Sequence, residues 1–192
     1  EKRDELLITL RDSENAIGIY SIDTGQLDAL PQLLIPNSST PSISPDGRYI
    51  AFERNENGIR GVYAVPVSNI QKDTNISAEI PGNCFSPVFG TDADSLAILF
   101  FICETDGSRQ LFAQRAWGEI ETVALNTDIS LTDIDNVTSG PVDGFLAFDD
   151  GQRIYSGGWL DAQYPFVQLM LPGVPIATHI RWNCVRCNED EN

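Results

Sequence analysis

The chain has 192 residues, 42% of them hydrophobic, and carries a formal charge of −16 from 12 Lys and Arg against 28 Asp and Glu. Nine Phe, five Tyr and three Trp exclude general disorder, which needs low hydrophobicity and few aromatics. The charge repels phosphate backbones and anionic headgroups, so neither nucleic acid nor a membrane surface is expected as a partner.

No apolar stretch approaches the ~20 residues of a membrane span. Glu1-Lys2-Arg3-Asp4 lacks the apolar centre of a signal peptide, and the chain reads as a mature or excised segment. One domain is expected over residues 1–187, followed by an acidic tail at 188–192.

In chain order, short runs rich in Ile, Val, Leu, Phe and Tyr alternate with Asp-Gly, Asn-Gly and Pro-containing turns, which is the pattern of strands and hairpins. The first three, around Leu6 to Leu10, Tyr20 and Leu30 to Pro36, read as the second, third and fourth strands of a sheet whose first strand is missing. Further strands follow at Tyr49 to Phe52, Val62 to Val65, Leu96 to Phe101 and Phe145 to Phe148. Near the end, Ala177 to Asn183 reads as a first strand with no second. Gly and Pro are scattered, so no linker divides the chain.

Internal repetition is the strongest signal. Pro41 to Phe52 aligns with Pro87 to Ile98 at an offset of 46, matching Pro, Asp, an aliphatic and Ala. A third copy keeps Phe145-Leu146-Ala147-Phe148, and Ala51, Ala97 and Ala147 are expected where sheets approach most closely. After each Ala strand come a turn and an aromatic: Asn57-Gly58 before Tyr63, Asp106-Gly107 before Phe112, Asp150-Gly151 before Tyr155. With Tyr20 these aromatics are spaced by 43, 49 and 43 residues, close to the ~40 to 45 of a four-stranded propeller blade. The expected fold is all-β: a propeller of about four blades, each of four antiparallel strands. The C-terminal strand would join the N-terminal three in a 3+1 closure that removes exposed edges.

Ser44-Pro45-Asp46-Gly47-Arg48-Tyr49-Ile50-Ala51-Phe52, followed by Asn57-Gly58 and Val62-Tyr63-Ala64-Val65, resembles the TolB-like, WD-repeat-like propeller repeat. Sheet three departs from it with Gly90-Thr91-Asp92-Ala93-Asp94 in place of Ser-Pro-Asp-Gly. The resemblance implies a protein-binding platform, an extracytoplasmic sensor or a gate beside a separate hydrolase domain, and the warrant for each is fold-level analogy.

Four cysteines form an even set, compatible with two bridges in an oxidising compartment. A turn over residues 90–95 would set Phe89 opposite Leu96 and bring Cys84 near Cys103 across the hairpin. A disulfide is the favoured reading there, against two buried thiols packing as small hydrophobes. Cys184-Val185-Arg186-Cys187 follows an apparent strand with no βαβ context, so a tight disulfide is favoured over redox catalysis or half a zinc site. His179, the only histidine, is assigned a structural role, since no second His and no Gly-x-Ser-x-Gly elbow accompanies it.

Asp92 and Asp94, Asp128, Asp133 and Asp135, and Asp149-Asp150 form acidic clusters. Ca²⁺ is the ion such carboxylates could gather around, but none matches the twelve-residue loop, and turn capping is the commoner explanation. No cofactor or metal site is therefore assigned, and no catalytic residue.

The function expected is a non-catalytic binding domain of an extracytoplasmic protein, whether secreted, cell-surface or periplasmic. Its partner would be a protein or a glycan, with Trp117, Trp159 and Tyr164 as ligand contacts, since aromatics dominate hot spots. The alternatives are a glycan-active hydrolase, which needs two facing carboxylates, and a self-assembling structural subunit.

Overall fold

The computed structural model describes residues 5–12, 14, 16–26, 28, 30–91, 97–115, 120–122, 134–139, 145–150, 154–158 and 167–169. Every regular element among them is a β-strand. Sheet one holds β1 (Glu5–Arg11), β2 (Ile17–Asp23) and β3 (Gln32–Pro36). Sheet two holds β4 (Ser38–Ile43), β5 (Tyr49–Glu56), β6 (Ile59–Pro66) and β7 (Thr74–Asn75). Sheet three holds β8 (Asn83–Thr91), β9 (Ala97–Thr105), β10 (Ser108–Arg115) and β11 (Ile120–Thr122). Sheet four holds β12 (Val137–Ser139), β13 (Phe145–Asp149), β14 (Ile154–Gly158) and β15 (Val167–Leu169).

Neighbouring strands within each sheet are antiparallel and consecutive. The expected pattern of three strands followed by three sets of four is present. The described strands form four separate sheets rather than one closed sheet, and residues 177–183, assigned to ring closure, lie outside the described residues.

The turns follow from their residues. Asn57 and Gly58 have φ of 55° and 86°, and Asp106 and Gly107 have 51° and 76°, the double positive φ of a type I′ hairpin. Glu56 pairs with Ile59 and Thr105 with Ser108 across these two-residue loops, so the turn fixes the register of β5 on β6 and of β9 on β10.

That register explains the aromatic repeat. Tyr63 lies opposite Phe52, Phe112 opposite Phe101 and Tyr155 opposite Phe148, with ring centroids 5.8, 5.8 and 5.4 Å apart. In sheet one Tyr20 lies opposite Ile8 instead. Such cross-strand pairs stabilise an antiparallel sheet beyond their burial.

Both faces of the middle strands are apolar, so each sheet is covered by its neighbours. Ile19, Ile35, Ile50, Phe52, Tyr63 and Val65 fill the space between sheets one and two. Ala51, Val62, Phe89, Leu99 and Phe101 fill that between sheets two and three. Phe85, Phe100, Leu111, Leu146, Phe148 and Tyr155 fill that between sheets three and four.

The first strands carry matching irregularities. Thr40 and Ser86, each just before the repeated Pro41 and Pro87, have φ of 48° and 53° and sit in β-bulges of β4 and β8. The bulge frees a backbone N–H, and a side chain of the preceding sheet captures it. Thr40 N–H donates to Thr9 Oγ1 at 3.1 Å, and Ser86 N–H donates to Glu53 Oε1 at 2.8 Å. Thr9 and Glu53 are equivalent, each following the residue opposite the repeated Tyr.

Two expectations are corrected. Phe89 lies opposite Leu99, not Leu96, because β8 runs through to Thr91, which pairs with Ala97. The offset of 46 holds for the first strands, but Phe52 and Phe101 are 49 apart, so the first hairpin of sheet three is three residues longer. Consequently Ala97 is not the counterpart of the fully buried Ala51 and Ala147; Phe100 is. Leu96 to Ile102 is apolar at nearly every position, so alternation could not set this register.

Replacing the fully buried Phe101 with Ala is expected to cost about 3 to 5 kcal/mol, lowering Tm by roughly 10 °C, whereas L30A, at an exposed position, leaves Tm unchanged. Thermal melts of the two variants against the parent check this.

Candidate functional site

Antiparallel order sends the β1–β2, β5–β6 and β9–β10 hairpins, together with the links between sheets, to one end of the stack. The β2–β3, β4–β5 and β6–β7 connections lie at the other end. Each end has a cleft where sheets one and two meet.

At the β5–β6 end the cleft has a volume of about 420 Å³ and is lined by Ile17, Asn37, Ser38, Ser39, Glu53 to Glu56 and Arg60. Asn37 alone links sheet one to sheet two, with φ of 52° and its N–H donated to the Ile17 carbonyl. The Asn57-Gly58 turn places Asn55 opposite Arg60, and β4 places Ser39 opposite Glu53, so these four side chains project from one face of sheet two.

Charges in the cleft are balanced locally. Glu53 is buried and accepts the Ser86 N–H, while Arg60 Nη1 stands 3.7 Å from its other oxygen. The Arg60 guanidinium lies over the Phe85 ring at 4.3 Å, and Arg109 lies over the same ring at 5.2 Å, itself bound to Glu104 at 2.9 Å. Arg54 lies over Phe52 and Tyr63 at 5.1 and 4.9 Å and pairs with Asp73 and Glu56. Burial raises the Tyr63 hydroxyl pKa above its usual value, and the neighbouring Glu56 carboxylate raises it further.

At the opposite end the cleft is larger, about 1040 Å³, and more apolar, with Leu7, Leu34, Ile43, Ile50, Val67 and Ile70 among its lining. Beside it the Ser44-Pro45-Asp46-Gly47 turn is held by Asp46. Its carboxylate accepts the Ser44 hydroxyl at 2.6 Å and the Arg48 N–H at 3.0 Å, and these bonds hold its pKa below the ordinary 3.8.

Cys84 and Cys103 form a disulfide, directly opposite one another on β8 and β9 and buried between sheets two and three. Trp117, Trp159 and Tyr164, and with them Cys184, Cys187 and His179, lie outside the described residues. Among the described residues no three His, Cys, Asp or Glu side chains gather as a metal site would require. No helix there is long and apolar enough to cross a membrane. Sequence reading missed Arg60, Glu53 and Ser39. The Asn57-Gly58 turn was the signal for two of them, since a two-residue loop dictates that Glu53 and Arg60 share a face.

Four-stranded antiparallel sheets stacked face to face, with first strands adjacent in space, define the blades of a β-propeller. The particular fold is TolB-like. TolB from Acinetobacter baumannii superposes with a TM-score of 0.64 at 14% identity, over 85% of this chain and 40% of that one. A protein described as a TolB from Agrobacterium tumefaciens gives 0.62 at 16% identity, over 80% of this chain and 57% of that one. Hydrazine synthase of Kuenenia stuttgartiensis gives 0.50 at 11% identity, over 77% and 51%. The protein therefore spans about half the length of the TolB chains it matches. No protein-family model and no curated protein sequence matches it.

Two variants probe the polar supports. E53A leaves the half-buried Ser86 N–H without its acceptor and is expected to cost about 1 to 3 kcal/mol in urea unfolding, with E53Q, which retains an acceptor, costing less than half as much. Asp46 has a depressed folded pKa, so its stabilisation is complete above pH 3.8 and is lost as pH falls through the lowered value. The stability gap between parent and D46N should accordingly be constant at pH 5 to 7 and shrink below pH 3.8, as measured by unfolding at each pH.

Proposed function

We propose that this protein is a non-catalytic binding domain of an extracytoplasmic protein, presenting a partner surface at one end of its stacked sheets. The observation that carries the reading is the β5–β6 end itself, a rim of hairpins around an open cleft that Glu53, Arg54, Asn55, Glu56 and Arg60 line, on TolB-like blades. The carboxylates described there face arginines or a backbone N–H: Glu53 meets Arg60 and Ser86, Glu56 meets Arg54, and Glu104 meets Arg109. The buried disulfide supports an oxidising compartment. The fold occurs in TolB and in a protein named as an enzyme, so it does not itself choose between roles.

Ring closure by residues 177–183 is part of this proposal. Leu6 is 50% exposed, whereas its counterparts Ile50 and Leu99 are 3% and 1% exposed, each lying opposite a residue of its own first strand. Sheet one has no such strand among the described residues. Asp149, buried in sheet four, occupies the position from which Thr9 and Glu53 capture a bulge N–H of the next first strand.

One observation favours a second reading, a self-assembling subunit: Leu6, Leu30 and Leu33 of sheet one are exposed. Light scattering separates the two, since a concentration-dependent mass above 21.1 kDa would favour assembly.

Immobilised protein screened against extracellular proteins and glycans, with product analysis, tests the binding role. Binding without turnover is expected, and W117A and W159A should weaken it by about tenfold or more if the two rings are contact anchors. Release of a cleaved glycan would replace this reading with the hydrolase.

A further inference from the structure

The guanidinium of Arg60 is held in place but not chemically used up. It lies on the Phe85 ring at 4.3 Å, its side chain is 43% exposed, and the nearest carboxylate oxygen, on Glu53, is 3.7 Å away, beyond hydrogen-bonding range. Its backbone N–H is tied to Asn83 Oδ1 at 2.9 Å, which fixes the strand beneath it. Among the described residues its guanidinium N–H groups thus have no hydrogen-bond acceptor, and they border the 420 Å³ cleft.

Arg54, in the same cleft, differs. Its guanidinium donates a hydrogen bond to Asp73, and its side chain is only 17% exposed. Arg109 likewise donates to Glu104 and to the Ile134 carbonyl. The contrast singles out Arg60. Beside it on the same face, the Ser39 hydroxyl has no partner among the described residues, and Asn55 uses its carbonyl oxygen for the Gly58 N–H, which leaves its amide hydrogens as donors.

We propose that the Arg60 corner is a recognition site for a single peptide carboxylate, supplied either by the C-terminus of a polypeptide or by an acidic side group within one. A planar guanidinium stacked on an aromatic presents its N–H edge in a fixed fork, which matches a carboxylate bidentately; stacking removes much of the entropy cost of ordering the side chain. Ser39 and Asn55, which line the same cleft, offer neutral donors beside it. Glu53 pairs with Arg60 at 3.7 Å without a hydrogen bond and accepts the Ser86 N–H through its other oxygen, so the N–H fork stays open to a closer acceptor. A lone carboxylate suits the site better than an acidic tract, because the protein's charge of −16 repels a highly acidic partner at long range. The cleft volume accommodates a short peptide end rather than a folded surface. This assignment rests on the binding role proposed above and names the chemistry one of its contacts would read.

The test uses the whole 192-residue chain and three acetylated tripeptides, followed by amide chemical shifts of residues 37–39 and 53–61. One carries a free C-terminal carboxylate, one is amidated with a central glutamate, and one is amidated and neutral. At least one carboxylate peptide is expected to bind, the stronger arm identifying the source, with the neutral peptide about tenfold weaker or more. R60Q should lose about tenfold or more, and R60K nearly as much, because a point charge does not reproduce the fork. Retention of the parent's amide dispersion in R60K shows that the loss is not unfolding, and S39A provides a smaller, independent loss if R60Q does not fold. Equal binding of the neutral peptide, R60Q binding within about twofold of the parent, or no shift with either carboxylate peptide would overturn the site. If R60Q still captured a protein partner found in the screen, this site would fall while the binding role stood.

Discussion

The architecture depends on one constraint: the second and third strands of each sheet are apolar on both faces, and a sheet of that kind has no stable existence without a neighbour on either side. The cross-strand aromatic pairs Phe52 with Tyr63, Phe101 with Phe112 and Phe148 with Tyr155 are where the demand is greatest. Each pair sits on the side facing the preceding sheet, in the layers that join sheets one to two, two to three and three to four. Stacking is thus a requirement of the sequence before it is a feature of the fold.

Apolar burial sets which sheets meet but not how they are aligned along their strands. That is done by polar contacts between first strands and their neighbours. Besides the captured bulge N–H groups, Phe89 N–H donates to Ser42 Oγ at 3.0 Å and Ser139 Oγ donates to the Phe89 carbonyl at 2.8 Å. One backbone residue of β8 is thereby bound on one side to sheet two and on the other to sheet four. The same contacts reach the cleft at the β5–β6 end, since Glu53 both lines it and holds Ser86.

How much of this was legible in the sequence depended on whether the signal was local. Two-residue Asn-Gly and Asp-Gly turns dictate their own hairpins, so the second and third strands of sheets two and three were read correctly together with their aromatic repeat. The three described strands of sheet one were visible because Leu6 to Pro36 holds three apolar runs. The β8–β9 register was not legible: its connection has no diagnostic turn, and a strand buried on both faces offers no alternation to count. Repeated Pro41 and Pro87 were visible as letters, while their meaning, a positive φ just before each, appeared only in the backbone. Arg60 carries no local signal in the sequence, because its stacking partner, Phe85, is contributed by a different sheet. Trp117, Trp159 and Tyr164 stood out as aromatics in or near predicted loops, a pattern that does not say which residues share a surface.

The Cys84–Cys103 bridge brackets the β8–β9 hairpin, with its lengthened acidic connection at one end and the covalent tie near the other. A single proteolytic nick anywhere between the two sulfurs would therefore yield two polypeptides that remain one molecule. The fragments would still share the ladder and the buried layers on both sides, and separation would demand a reductant as well as a denaturant.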